Sequence, residues 1–156
     1  ERYMANTYTQ IYIQIVFTIQ GRQNLIRNEW KDELYKYITG IVKGHDQKLY
    51  IINGMPDHIH ILLSLKPDVA ISDMVRDIKA NSSKFINEKS WITGRFQWQE
   101  GFGAFSYGHS QLDAVIKYIK DQEEHHRKKT FKEEYLEFLK KFHVQYDEQY
   151  LFTWIE

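Results

Sequence analysis

Alternating apolar and polar residues near the start of the chain predict a long β-strand. Over residues 9–19 every odd position is Thr, Ile or Phe, whereas most even positions carry Gln, Thr or Tyr. This period of two indicates a strand with one buried face. Two further strands are predicted over 48–53 and 57–65, and Gly54-Met55-Pro56 between them is typical of a hairpin turn.

Helical patterns alternate with these strands. The stripe over 30–41 predicts a first helix that closes at Gly44, and Ser72 is the expected N-cap of a second helix. A third helix is predicted over 111–129. Thr130 and Glu133 have the spacing of a capping box, so a last helix is expected to begin there.

The order of the elements predicts the fold class. With a further strand expected over 96–107, the chain follows a β-α-β-β-α-β order and ends in helices. We therefore expect an α+β, ferredoxin-like (split βαβ) fold, in which helices cover one face of an antiparallel sheet and the other face is free to hold a site. Without repeats or linkers, residues 4–156 are expected to form one domain. Residues 1–3 precede Met4 and are expected to be an expression remnant.

Composition excludes several classes of protein. The 156 residues include no Cys, which excludes a disulfide framework, thiolate metal sites and a Cys nucleophile. No apolar run is long enough to span a membrane, so we expect a cytoplasmic protein with no membrane contact. We also expect no nucleotide cofactor. The formal net charge of +0 argues against indiscriminate coating of nucleic acid, although it leaves local basic patches possible.

The triplet His58-Ile59-His60 is the strongest chemical signal in the sequence. Residues i and i+2 of a strand point to the same face, so these two imidazoles can bind one divalent metal ion. The alternative is a pair of hydrogen-bonded histidines on a half-exposed sheet. The pattern alone leaves both interpretations open.

Tyr118 and Gln122 are candidates on the predicted third helix. Their i, i+4 spacing places them on one side of that helix. If the helix packs across the open sheet face, Gln122 could give a metal an oxygen ligand and Tyr118 could reach a bound phosphate. The alternative is a surface tyrosine that only packs its ring.

Basic residues form two candidate nucleic-acid patches. The first lies at the end of the third helix, and the second lies on the polar side of the second helix. The first patch consists of Arg127, Lys128 and Lys129, and the second of Lys79, Ser83 and Lys84. Each patch could contact phosphates or be an ordinary solvated face. The aromatic residues of 96–107 could likewise stack unpaired bases, although core packing is the commoner role.

Two segments resemble a known family. The run Pro56-Asp57-His58-Ile59-His60-Ile61-Leu62-Leu63 resembles the His-hydrophobic-His motif of HUH nucleases. The run Tyr118-Ile119-Lys120-Asp121-Gln122-Glu123-Glu124-His125-His126 resembles the catalytic helix of single-tyrosine transposases of the insertion-sequence 200/605 family, which includes enzymes associated with repeated extragenic palindromes. The similarity extends from near Tyr8 to Tyr150.

This resemblance implies a metal-dependent transposase that cleaves and rejoins single-stranded, hairpin-bearing DNA ends through a 5′-phosphotyrosine intermediate. His58 and His60 match the two histidine ligands, Gln122 the third ligand and Tyr118 the nucleophile. A divalent ion is implied, with Mg²⁺ or Mn²⁺ expected.

The resemblance also implies a homodimer in which the tyrosine helix of one subunit can complete the site of the other. Whether Tyr118 serves its own subunit, and what His125 and His126 do, stays open. Two alternatives remain: a domesticated hairpin-binding module without cleavage activity, and a metal hydrolase in which an activated water replaces the tyrosine.

Overall fold

Four antiparallel strands form one sheet in the computed structural model, which describes residues 6–147 and 151. The strands are β1 (Tyr12–Thr18), β2 (Lys48–Met55), β3 (His58–Ser64) and β4 (Gly103–Tyr107). Their order across the sheet is β2-β3-β1-β4. The strand that carries both candidate histidines is therefore central. The expected remnant 1–3 and the segment 148–150 lie outside the described residues.

The described residues form five α-helices. These are α1 (Lys31–Gly44), α2 (Ile71–Lys89), α3 (Leu112–Lys120), α4 (Gln122–His125) and α5 (Phe131–Lys141). The α1 and α2 helices pack on the face formed by the odd-numbered residues of β1 and β3. The core between them is fully buried and includes Ile15, Phe17, Leu34, Ile38, Ile59, Ile61, Met74 and Ile78.

The second face of the sheet is covered by the C-terminal helices. Leu62 of β3 packs against Val115 and Ile119 of α3. Val16 of β1 packs against an α5 surface formed by Phe131, Tyr135 and Leu139. Because both faces are covered, all seven residues of β1 are buried. Polar side chains on this second face are thus enclosed between the sheet and the helices.

The predicted fold class is confirmed, but the sheet face expected to be free is covered by α3 and α5. The other differences are local. The expected strand over 96–107 forms a ladder only from Gly103, preceded by a single bridge between Ile19 and Trp98. The α2 helix begins at Ile71, so Ser72 lies in its first turn and is not its N-cap. The capping box of Thr130 and Glu133 is present as expected.

The predicted helix over 111–129 is divided. Asp121 leaves helical geometry, with φ −93° and ψ 26°, and separates α3 from α4. The Asn53 side chain on β2 donates hydrogen bonds to the carbonyl oxygens of Ile119 at 3.0 Å and Lys120 at 3.1 Å. These bonds satisfy carbonyls at the end of α3 and fix the break to the sheet.

No helix within residues 6–147 is both long enough and apolar enough to cross a membrane.

The turn between β2 and β3 lies at Pro56 and Asp57, and the strand pairing beside it depends on Gly54 of β2, which is opposite Ile59. A Cβ atom there would overlap the carbonyl oxygen of His58 and approach the Ile59 Cα to 2.8 Å. We expect Gly54→Ala to lower the free energy of unfolding by about 1–3 kcal/mol in urea denaturation. Gly40→Ala is the control, because a Cβ at Gly40, in the interior of α1, meets nothing within 4 Å and should stabilise the protein slightly. Equal stability of the Gly54→Ala variant and the native chain would contradict this account.

Candidate active site

His58 and His60 lie side by side on the second face of the sheet. Both side chains are completely buried, and their ring centroids are 5.1 Å apart. Thr18 and Val16 of β1 are their partners across the ladder. The two imidazoles share one face, as the sequence predicts. Both rings are buried and hydrogen-bonded, so they do not lie on a half-exposed face, and metal binding by the pair stays a prediction.

Hydrogen bonds at the Nδ1 atoms, called the outer nitrogens below, fix both rings. Nδ1 of His58 lies 2.7 Å from an Asp57 carboxylate oxygen, and Nδ1 of His60 lies 2.7 Å from Oε1 of Gln14. The Gln14 amide is oriented by its own donation to the Tyr107 hydroxyl at 2.7 Å. With the proton held on Nδ1, the lone pair of a neutral ring is on Nε2. Metal-binding histidines are held in this way.

Glu134 of α5 places a carboxylate against both Nε2 atoms. Its Oε1 is 3.1 Å from Nε2 of His60 and 3.5 Å from Nε2 of His58, and the side chain is 2% exposed. One ligand atom from each of the three residues lies within 4.8 Å of the others. Two imidazoles and a carboxylate are suitable ligands for a divalent ion, so these three residues could hold one.

Tyr118 and Gln122 complete the cluster from either side of the break between α3 and α4. The Tyr118 hydroxyl donates to Oε2 of Glu134. The Gln122 amide nitrogen donates to the same oxygen at 3.0 Å, and its Oε1 lies 3.1 Å from Nε2 of His58. The four residues singled out from the sequence are therefore brought together within one chain, around a carboxylate that the sequence patterns did not identify.

The two histidines that follow Gln122 also face the cluster. Nε2 of His126 is 3.1 Å from Oε1 of Glu134, and its Nδ1 is 3.0 Å from the backbone oxygen of Lys129. The His125 ring stacks on the Tyr118 ring, with centroids 4.2 Å apart. One of these histidines thus contacts the carboxylate and the other contacts the tyrosine.

Burial and charge together set the ionisation of the cluster. Burial lowers the pKa of His58, but the carboxylates of Asp57 and Glu134 outweigh it and raise that pKa to about 9. Burial lowers the pKa of His60, against the opposing effect of Glu134. Burial alone would raise the pKa of Glu134, but the surrounding histidines hold it well below its usual range. Glu134 is therefore an anion at neutral pH.

The Tyr118 hydroxyl is a neutral phenol in this structure. Burial raises its pKa above the ordinary value of 10.0, and the negative charge of Glu134 raises it further. A phenol becomes an effective nucleophile only when its surroundings favour the anion. Added positive charge beside Glu134 would act in that direction.

The two basic patches lie on different sides of the sheet. Arg127, Lys128 and Lys129 follow α4 beside the cluster. Arg127 pairs with Glu124 at 3.1 Å and Lys129 with Glu137 at 2.6 Å.

The second patch lies on α2, on the face opposite the histidines. Lys79 donates to the backbone oxygens of Gln99, at 2.7 Å, and Gly101, and burial lowers its pKa to about 8. Lys79 and Ser83 line a cavity of about 670 Å³. Lys84 is exposed, 3.9 Å from Glu88. The structure does not bring this patch to the tyrosine.

Most aromatic residues of 96–107 belong to the core. Phe96 and Trp98 pack with Phe17 beneath α2, and Phe105 packs against α5. Core packing, the commoner alternative, therefore accounts for these three side chains.

Sequence patterns missed Gln14 and Glu134, although each left a signal. Gln14 occupies an even position in β1, on the face that His58 and His60 share across the sheet. Glu134 follows Phe131 by three residues and precedes Phe138 by four, so it lies on the apolar stripe of α5. A charged residue on a buried helix face needs a partner, and that is the signal that could have found it.

The chain matches known proteins over most of its length. A family model described as transposase, IS200-like, matches residues 7–122. The chain is 25% identical over 120 residues to the ISDra2 transposase TnpA of Deinococcus radiodurans. The aligned region covers 72% of this chain and 84% of the relative. The matched family region ends at Gln122, so His126 and Glu134 lie beyond it.

Two solved structures share the fold. One is a Deinococcus radiodurans R1 protein described as a transposase, with 19% identity, a TM-score of 0.62 and coverage of 78% of this chain and 98% of that one. The other is a tyrosine transposase associated with REP sequences and bound to a REP hairpin. It has 15% identity, a TM-score of 0.60 and coverage of 81% of this chain and 74% of that one.

The Asp57 carboxylate should control the protonation of His58. In metal-free protein, we expect Asp57→Asn to lower the pKa of His58 from about 9, because the charge that stabilises the imidazolium is removed. The pKa of His58 in the native protein lies above the ordinary value of 6.5. Protonation of His58 therefore contributes its full stabilisation below pH 6.5, and this contribution is lost as the pH rises through about 9.

The pKa can be followed by NMR titration of the His58 ring protons. Asp77→Asn is the matched control, because Asp77 pairs with a different histidine, His45, at 2.8 Å. An unchanged His58 titration in Asp57→Asn would contradict the assignment.

Proposed function

Because the chain belongs to the family of IS200-like transposases, we propose that it is a metal-dependent transposase that cleaves and rejoins single-stranded, hairpin-bearing DNA ends. The contact that supports this proposal is the hydrogen bond from the Tyr118 hydroxyl to Glu134, whose other carboxylate oxygen lies against His58 and His60. A candidate nucleophile and a candidate metal site are thereby adjacent.

His58, His60 and Glu134 would hold the divalent ion, with the Gln122 amide oxygen beside them as the ligand expected from the sequence. The donor set fits such an ion, because both rings have their outer nitrogens bonded to oxygen acceptors and a carboxylate supplies negative charge. Mg²⁺ and Mn²⁺ are the ions expected. When bound, the ion would supply positive charge to the scissile phosphate.

Tyr118 would act as the nucleophile. Its oxygen forms the new bond to phosphorus as the bond to the 3′ oxygen breaks, which gives a 5′-phosphotyrosine and a free 3′-OH. The proton lost by the phenol balances the one gained by the 3′ oxygen. The stacked His125 ring and the Glu134 carboxylate fix the position of the phenol before the attack.

The covalent intermediate accounts for rejoining as well as cleavage. The phosphotyrosine bond retains the energy of the broken phosphodiester, so a second 3′-OH can attack it and release Tyr118. Strands are then joined without ATP. The groups that position Tyr118 for the first step would serve the reverse step, because both pass through the same arrangement at phosphorus.

Single-stranded DNA hairpins are the proposed partner. The REP-associated relative is bound to a REP hairpin, and a hairpin end offers this chain a stem for docking and a single strand for cleavage. Arg127, Lys128 and Lys129 follow His126 directly and would contact backbone phosphates. Lys79, Ser83 and Lys84 would contact the duplex stem if it reaches across to α2.

Removing the Tyr118 hydroxyl should abolish the covalent intermediate. We expect the native chain, given a labelled single-stranded hairpin and Mn²⁺, to form a protein–DNA band on a denaturing gel that Tyr118→Phe does not form. Tyr37→Phe is the control, because Tyr37 lies on α1, on the opposite face of the sheet from the histidines. Its ring stacks on Phe85, with ring centroids 4.0 Å apart. Cleavage that survives Tyr118→Phe would indicate a hydrolase. Binding without cleavage by the native chain would indicate a hairpin-binding module.

We also propose that the protein is a homodimer in which each Tyr118 serves its own chain, because the tyrosine and the histidines already meet within one chain. Tyr118→Phe and His58→Ala should each abolish cleavage and retain hairpin binding. Mixed dimers of the two variants should also be inactive, since each chain lacks one essential group.

The mixed dimers can be prepared by coexpression with two affinity tags. Light scattering would confirm the dimer, and mixed dimers of the native chain with Tyr118→Phe are the active control. Recovered cleavage in the dimer of the two variants would contradict the arrangement, because only a tyrosine shared between subunits could restore a site.

A further inference from the structure

We propose that His126 is a third imidazole ligand of the divalent ion, so that the segment after the family region supplies two ligands, His126 and Glu134. This inference rests on the metal dependence proposed above. It assigns a role to a histidine whose function the sequence left open. It also changes the metal that the site should prefer.

Three imidazole nitrogens converge on one carboxylate oxygen. Around Oε1 of Glu134, Nε2 of His60 lies at 3.1 Å, Nε2 of His126 at 3.1 Å and Nε2 of His58 at 3.5 Å. The His126 side chain is 7% exposed. His126 is close to Glu134 in the sequence but far from β3, so its approach to the His58 ring, with centroids 4.8 Å apart, results from the fold and not from local spacing.

The outer nitrogen of His126 is held in the same way as those of the strand histidines. Its Nδ1 faces the backbone oxygen of Lys129 at 3.0 Å, as Nδ1 of His58 faces Asp57 and Nδ1 of His60 faces Gln14. A ring that donates Nδ1–H outward directs its Nε2 lone pair inward. Metal-binding histidines have this second hydrogen bond to a carboxylate, amide or backbone oxygen.

A divalent ion could take the place of the protons between the imidazoles and Glu134. In the metal-free site Nε2 of His60 and Nε2 of His126 lie at hydrogen-bond distance from Oε1 of Glu134, so protons on these nitrogens compensate the buried carboxylate. A divalent ion among them would accept electron density from all three rings and from the carboxylate. The same ion would draw Glu134 charge away from the Tyr118 hydroxyl.

The enlarged ligand set predicts a different metal preference. Mg²⁺ favours oxygen ligands and retains several waters, whereas imidazole favours transition ions. With His58, His60, His126 and Glu134 as ligands, the site should bind Mn²⁺, Co²⁺ or Zn²⁺ more tightly than Mg²⁺. A site with only two histidines and the Gln122 amide would discriminate less.

The test measures metal binding by the full chain without DNA. Mn²⁺ is titrated calorimetrically into the metal-stripped native protein and into His126→Ala, and electron spin-echo modulation counts the imidazole nitrogens on bound Mn²⁺. We expect three nitrogens in the native protein and two in the variant, with affinity lower by on the order of 10–100-fold. The native protein should also bind Mn²⁺ more tightly than Mg²⁺.

Two further variants make the result decisive. His125→Ala removes the neighbouring histidine, which stacks on Tyr118 and does not face the carboxylate, so Mn²⁺ affinity should stay at the native value. His126→Phe keeps a ring of similar size and removes both nitrogens, which tests the same ligand if His126→Ala unfolds.

The outcomes separate this inference from the proposed function. Native protein with two coordinated imidazoles, and His126 variants with native affinity, would overturn the role of His126 and leave the His58–His60–Glu134 site in place. Failure of the native chain to bind Mn²⁺ at all would overturn both the inference and the metal dependence on which it rests.

Discussion

A buried carboxylate determines how the second face of this protein is organised. Glu134 is 2% exposed, and removing a carboxylate from water costs several kcal/mol unless hydrogen bonds and opposite charge compensate. Here the compensation comes from three imidazoles, a phenol and an amide. These groups belong to β3, to the helices on either side of Asp121 and to the residue that follows α4. The hydrogen bonds of Glu134 therefore link α5 to the sheet and hold Tyr118 beside the histidines.

The groups around this centre rest on rigid support. Phe131, the first residue of α5, stacks on the His58 ring with centroids 4.2 Å apart. Gln14 links His60 to Tyr107 of β4, and Asn53 of β2 holds the break between α3 and α4. Each strand of the sheet thus contributes to the placement of a site residue. A sheet is a suitable base for such a site, because its ladders restrict movement of the side chains it carries.

Local patterns predicted the parts of the protein that local physics determines. The alternation in β1 and β3 separates a face packed on the apolar core from a face that carries enclosed polar side chains, and His58 and His60 share a face because a strand repeats every two residues. The capping box at Thr130 marks the start of α5 because both of its hydrogen bonds lie within four residues. The fold class followed from the order of these elements.

Features that depend on packing could not be predicted in this way. Burial of Val16, at an even position of β1, results from α5, which is far away in the sequence. The break at Asp121 is fixed by Asn53, and the role of Glu134 appears only when α5 lies over β3. The segment whose resemblance identified Tyr118 and Gln122 also contains His126, but the resemblance assigns no role to that histidine. The matched family region ends at Gln122, before both His126 and Glu134. Neither residue could be assigned to the site from that resemblance.

Anomalous diffraction from crystals of the native protein soaked in MnCl₂ tests the central claim most directly. The account predicts one strong manganese peak enclosed by Nε2 of His58, His60 and His126 and bound by the Glu134 carboxylate, with Tyr118 next to it. A peak elsewhere, or no peak while Glu134 remains hydrogen-bonded to Tyr118 at saturating Mn²⁺, would contradict it.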